Sequence, residues 1–144
     1  MRESGERRTT GVGIVIFVGV THTDTMADVA ILSAKIIKLR IFEDRNKKMN
    51  LSLQDIDGAS ALIVSQFTLY GNVRKGRRPS FVDAARPEIA IPLYNAFVES
   101  FTTQGIAIQT GEFGADMLVE ILNDGPVTFH VDTEHFRGDK LQAI

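Results

Sequence analysis

Cysteine is absent from this chain of 144 residues. That removes disulfide frameworks, thiolate nucleophiles and cysteine metal sites together. No run reaches the roughly 18 uninterrupted apolar residues that span a bilayer, and the opening MRESGERRTTG lacks the apolar segment of a signal peptide. The expectation is a cytoplasmic protein with no membrane partner. Charge of one sign is also scarce: the net charge is only −2 and the pI about 5.9. Bulk electrostatic capture of nucleic acid is thereby disfavoured, so any such partner must be gripped by a local basic patch. Internal repeats, low-complexity tracts and long linkers are missing too.

What remains describes an ordinary globular chain, 44% hydrophobic and 24% charged, of a length that fits one domain. The expectation is one domain over 1–144, with a polar, divergent or truncated stretch at 1–10 and a tail from 132. Gly13 to Val20, GIVIFVGV, is an apolar, β-branched run that predicts a strand buried on both faces. From Thr23 to Ile41 the period becomes helical, through Met26, Val29, Leu32, Ile36 and Leu39, with Thr25 and Asp28 as a capping box. A polar loop or edge hairpin follows, then a strand over Ser60 to Thr68. Pro92 reads as the first residue of a second helix, carrying Leu93, Phe97 and Phe101 and stopped by Gly105. Pro87 then belongs to an earlier turn. The runs IAIQT, MLVEIL and VTFHV, separated by turn chemistry, predict a strand-rich end.

Two features stand out chemically. The strand of Ala61 to Val64 ends in Ser65, Gln66, Phe67 and Thr68, which places hydroxyls, a carboxamide and backbone amides where a ligand carbonyl could be polarised. The alternative is that Ser65 and Thr68 merely cap the strand, Gln66 is solvated and Phe67 is core; the four-residue string alone does not decide. Just beyond it, Arg74, Lys75, Arg77 and Arg78 surround Gly76, a flexible turn with phosphate-sized donors. A solvated loop is the alternative there. Asn123 to Thr128, NDGPVT, reads as a Gly-Pro turn. His130, Asp132 and His135 are candidate metal ligands only on paper, since strand-end polar groups are solvated by default.

Taken together and in order, KMNLSL, SQFTLYG, KGRRPSF, TGEFGADM and NDGPVTF resemble the D-aminoacyl-tRNA deacylase family, with similar gaps, from about Gly11 to Val131. SQFTL and NDGPVT are that family's two signature motifs. The resemblance implies an α/β fold, a single mixed-sheet, barrel-like domain with two main helices. It implies a homodimer, with an active site built across the subunits, that hydrolyses the ester between a D-amino acid, or glycine, and the terminal adenosine of tRNA. No metal or other cofactor is implied.

Residue by residue, the resemblance gives Ser65, Gln66, Phe67 and Thr68 to catalysis, with amides near Phe67 stabilising the oxyanion. Gly125 and Pro126, a cis pair in the family, face the substrate amino acid in the partner's pocket and exclude an L side chain. Phe113 and Met117 line the substrate site, Phe113 either stacking on the terminal adenine or serving the core. Arg74, Lys75, Arg77 and Arg78 hold tRNA phosphate. Thr68 is read either as nucleophile or as support for a reaction assisted by the RNA 2′-hydroxyl. No histidine lies in the matching motifs to deprotonate it, which favours the second. The family's usual first strand, with a Gln-Arg-Val-like string, has no counterpart here, which implies either a truncated start or an open sheet edge. An alternative follows from that: a nucleic-acid-binding module with little turnover.

Overall fold

The computed structural model describes residues 5–125 and 127–136. Its centre is a three-stranded parallel sheet in the order β1 (Gly13–Val18), β4 (Ser60–Ser65), β5 (Ala107–Thr110). A short antiparallel pair, β2 (Phe42–Glu43) and β3 (Met49–Leu51), forms the expected hairpin beside it. The fold is α/β with two helices, as the resemblance implies. The barrel-like part of that expectation is not met: the described strands form two open sheets.

Helix α1 (Met26–Lys38) starts where the capping box predicts. The Thr25 amide donates to the Asp28 carboxylate at 2.9 Å, and the Ala27 amide donates to the Thr25 hydroxyl at 3.3 Å. Helix α2 (Pro87–Thr103) differs from the expectation. Pro87, not Pro92, is its first residue, where a missing N–H costs nothing. Pro92 sits inside the helix. It forfeits the bond to the carbonyl four residues back, and the helix persists because Leu93, Tyr94, Phe97 and Phe101 beyond it are buried. Gly105, at φ +78°, ends it as expected. The Gly105 amide donates to Thr102 and the Ile106 amide to Phe101, satisfying two terminal carbonyls.

Both crossovers step across the sheet in the same direction, so right-handed connections put α1 and α2 on one face. The core lies there: Ala61 and Ile63 of β4 pack with Val29, Ile37, Leu93, Tyr94, Phe97 and Phe101. Phe97 and Phe101 meet edge to face, centroids 5.1 Å apart. β1 is not buried on both faces; among the described residues it pairs only with β4, and Phe17 is 39% exposed. Glycine is required at its start, because a methyl on Gly13 would lie 1.7 Å from the Ser60 carbonyl oxygen.

The predicted strand-rich end is a further correction. IAIQT supplies β5, but from Gly111 to Asp132 the described residues contain no strand. Burial nevertheless alternates from Gly111 to Glu120, the period of an extended chain that has no ladder to join.

Candidate active site

In a parallel sheet every strand ends on the same side, and ligands in open α/β sheets gather at those carboxyl ends. Here that edge collects Gly19 after β1, Ser65 to Thr68 after β4, and Gly111 to Met117 after β5. β4 stops at Ser65 rather than running to Thr68, because Phe67–Tyr70 turns into one 3-10 helix. The Gln66 amide still reaches back to the Val18 carbonyl at 2.8 Å, while the Leu69 amide donates to Gln66 and the Gly71 amide to Thr68. No hydrogen bond among the described residues engages the amides of Phe67 or Thr68. They open the turn as its unsatisfied donors, available to an oxygen that arrives from outside.

The turn fits its seat closely. A methyl on Gly19 would meet the Gln66 carbonyl oxygen, the Leu69 Cβ and the Tyr70 ring, each at 3.2 Å. Ser65 and Gln66 are half-buried; Thr68 is exposed and Phe67 is 57% exposed, so Phe67 is not core. The Gln66 carboxamide donates to the Thr68 hydroxyl oxygen. That is the hydroxyl's only side-chain partner among the described residues, and an amide cannot take its proton.

Phe67 meets Phe81 edge to face at 5.1 Å, which ties the turn to the base of the basic loop. Asn72 and Ser80 close that loop through reciprocal backbone bonds of 2.7 and 2.8 Å, and Gly76 turns at φ +66°. Arg74, Lys75, Arg77 and Arg78 are exposed, and no carboxylate among the described residues lies within ion-pair distance of them.

Across the edge, Met117 lies over Gly111, where a methyl would come within 2.6 Å of its sulfur and 3.5 Å of Val64. Val64, 2% exposed, is not part of the helix-side core; Met117 sits beside it on the other face. Phe113 stacks obliquely on Tyr94 at 5.9 Å and packs against the core. Tyr94 in turn donates to the Ile63 carbonyl at 2.9 Å, and burial raises its phenol above the ordinary value. Phe113 is thus partly a core residue, half-buried rather than free.

Gly125 stands apart from these groups. Asn123, Asp124, Gly125 and Thr128 are exposed, and the loop is fastened by the Asn123 side-chain carboxamide donating to the Thr128 hydroxyl at 3.3 Å. A methyl on Gly125 would come 2.3 Å from the Val127 nitrogen, so the loop has no room for a side chain there. Pro126 lies outside the described residues. His130 and His135 meet edge to face at 6.3 Å, and among the described residues no group of three or more histidines and carboxylates is placed to hold a metal. No helix among them is long and apolar enough to cross a membrane.

A family model described as D-Tyr-tRNA(Tyr) deacylase matches residues 4–132. The chain belongs to this deacylase family. It is 54% identical over 128 residues to a D-aminoacyl-tRNA deacylase of Geobacillus sp. (strain WCH70), covering 89% of this chain and 84% of that protein. It is 56% identical over 127 residues to one of Chloroflexus aurantiacus, covering 88% and 79%. Among solved structures it resembles a c-Myc DNA unwinding element binding protein with a TM-score of 0.80 and 38% identity, covering 90% of this chain and 88% of that one. A probable eukaryotic D-amino acid tRNA deacylase shares the fold at a TM-score of 0.60 and 18% identity, over 71% and 75% of the two chains.

Sequence reasoning did not find two residues that lie at the carboxyl edge of this deacylase's sheet or beside the motif turn. Arg8 donates to the Thr110 carbonyl at 2.8 Å and holds Glu6 at 2.8 Å, pinning the polar N-terminal stretch against the end of β5. Asp83 faces the motif turn across a cleft. Neither belongs to a local pattern: Arg8 and Thr110 are 102 positions apart.

Proposed function

We propose that the chain, acting as one deacylase domain, hydrolyses the ester of D-aminoacyl-tRNA and releases free D-amino acid and tRNA. The observation that carries this reading is the pair of unengaged amides, Phe67 and Thr68, on a turn fixed at the carboxyl edge of the sheet in a chain of the deacylase family. Water attacks the ester carbonyl carbon, the two amides stabilise the oxyanion, and the bond to the ribose 3′-oxygen then breaks, that oxygen leaving with a proton. The 2′-hydroxyl of the terminal adenosine assists the water. Thr68 supports, because among the described residues its hydroxyl meets only the Gln66 carboxamide, which is no base. Phe113 and Met117 flank the adenosine, and the loop of Arg74, Lys75, Arg77 and Arg78 takes backbone phosphate.

Rejection of L-aminoacyl-tRNA falls to the loop of Gly125 and Pro126, which reaches into a second copy's pocket in a homodimer. Its main-chain carbonyls leave space for hydrogen or a D side chain, so glycyl-tRNA mischarged on tRNA-Ala is also a substrate. A tRNA substrate puts the enzyme in the cytoplasm. Incubation with D-tyrosyl-, L-tyrosyl- and glycyl-tRNA tests the reading: the D- and glycyl esters should be lost far faster than spontaneously, the L-ester at the spontaneous rate. No enhancement with the D-ester overturns it.

That result would favour a second reading, a nucleic-acid-binding module with little turnover. The exposed, unpaired basic loop supports it, as does the name of the solved relative at 38% identity.

A further inference from the structure

Directly beyond the catalytic turn the surface opens into a cleft of about 320 Å³, at the low end of the roughly 300–1,000 Å³ that hold small ligands. Leu69, Tyr70 and Val73 give it an apolar side; Asn72, Arg74 and Asp83 give it polar groups. Its walls are fixed. The Asn72–Ser80 bonds hold one wall, while the Thr21 hydroxyl donates to the Asp83 carbonyl at 2.6 Å and the Ala85 amide to Val20 at 2.8 Å on the other. The side-chain oxygen of Asn72 already accepts from the Arg74 amide at 2.9 Å, which leaves its NH2 to donate outward. The Asp83 carboxylate and the Arg74 guanidinium have no partner among the described residues.

An acceptor, a cation and an apolar floor side by side match one nucleotide: a base with an amino group, attached to a phosphate. Which nucleotide follows from position, because Leu69 and Tyr70 belong both to the cleft and to the turn that holds the ester. With the terminal adenosine at the turn, the next unit of the RNA lies here, and the shared 3′ end of tRNA makes that unit a cytidine. Its exocyclic amine is the group that aspartate accepts from.

We propose that this cleft is the subsite for the nucleotide preceding the terminal adenosine, Asp83 accepting from the cytosine amino group and Arg74 holding its phosphate. The inference rests on the reading of the chain as an aminoacyl-tRNA hydrolase. Electrostatics orient the strand. A second cavity shares Tyr70 and Asp83 but is lined by Asp24, Asp132 and Glu134, a negative field that repels phosphate. The RNA backbone therefore leaves past Arg74 towards Arg77 and Arg78.

The test replaces that cytidine by uridine, which presents a carbonyl where cytosine presents an amine. D-tyrosyl-tRNA of both kinds is given to the wild type and to Asp83→Asn, and labelled uncharged RNAs ending in CCA or CUA are titrated against both by fluorescence anisotropy. In the wild type, uridine should lower kcat/KM and affinity about tenfold, as expected for one hydrogen bond to a charged group. Asp83→Asn should bring the ratio near one, because an amide can donate to the uracil carbonyl. Equal use of both RNAs by the wild type, or a preference that persists in Asp83→Asn, overturns the subsite. Deacylation without discrimination removes the subsite and leaves the hydrolase; a cytidine preference in binding without deacylation does the reverse.

Discussion

Two walls face each other across the site, and they are built differently. From Ser65 to Gly71 the chain is fastened on both sides of its two free amides, to β1 through Gln66 and to itself through Leu69 and Gly71. From Glu112 to Val131 the only backbone-to-backbone bond among the described residues runs from Ala115 to Glu112. Leu118, Ile121, Leu122 and Phe129 stay exposed along that second wall. The first wall is preorganised, so its amides need no rearrangement to meet a developing charge. The second has extended-chain periodicity without a partner, so its shape depends on what it meets. The proposed mechanism accordingly gives chemistry to the first wall and discrimination between substrates to the second.

The harshest test of that division is chemical. If the turn supplies amides while the RNA supplies the assisting hydroxyl, a 2′-deoxy terminal adenosine should lower single-turnover deacylation by a hundredfold or more, an order of magnitude in keeping with loss of acid–base assistance. Thr68→Ala should lose less than about tenfold. The opposite pattern would make Thr68 the nucleophile and the turn more than a cradle.

A smaller effect concerns the loop joined to the first wall. Replacing Arg77 and Arg78 by alanine should raise KM more than it lowers kcat, and should flatten the dependence of log affinity on log salt by between about 1.4 and 1.8. An unchanged slope would show that the phosphate lies elsewhere.

The walls can also be compared with one substitution made twice. Gly19→Ala pushes a methyl onto a backbone oxygen, a Cβ and a ring at once, and should destabilise by about 1–3 kcal/mol in urea titrations. Gly111→Ala meets mainly the Met117 thioether, the end of a flexible side chain, and should cost less than about 1 kcal/mol. Equal costs would mean that the second wall is as rigid as the first.

The smallest effect is a pH dependence. The Tyr70 phenol is pushed up to about 12 by burial first, then by Asp24, Asp132 and Glu134. In the unfolded chain it titrates near its ordinary value of about 10. Its contribution is therefore full below about pH 10 and lost as pH rises through about 12. Tyr70→Phe should soften the alkaline fall of Tm; an identical fall in both proteins would remove Tyr70 as its source.

The sequence is legible wherever one element's own residues decide its fate. Thr25 with Asp28, Gly105, and the run from Ala61 to Val64 all behave as their local chemistry dictates. It is less legible where a partner decides. MLVEIL and VTFHV carry strand-forming residues, but a strand exists only when another backbone pairs with it, and propensity does not supply one. Pro92 fails as a helix start because burial of the residues around it outweighs one lost hydrogen bond. At the site, the motif turn and the basic loop announce themselves in single stretches. Asp83 and Arg8 do not, since their meaning comes from segments brought beside them by the fold.

Gly13 sits at the end of β1 farthest from any of this chemistry. The backbone contact it permits against Ser60 acts as an index notch: only one alignment of the two strands lets the notch close. A parallel ladder has no slack with which to absorb an error, so a slip at Gly13 would travel undiminished over five residue steps, about 17 Å, to Val18 and Ser65. Placement of the two donor amides relative to a carbonyl oxygen is therefore calibrated at the opposite rim of the sheet. A side chain at Gly13, remote from every ligand, would have to push the Ser60 backbone aside and so shift the strand that carries the turn.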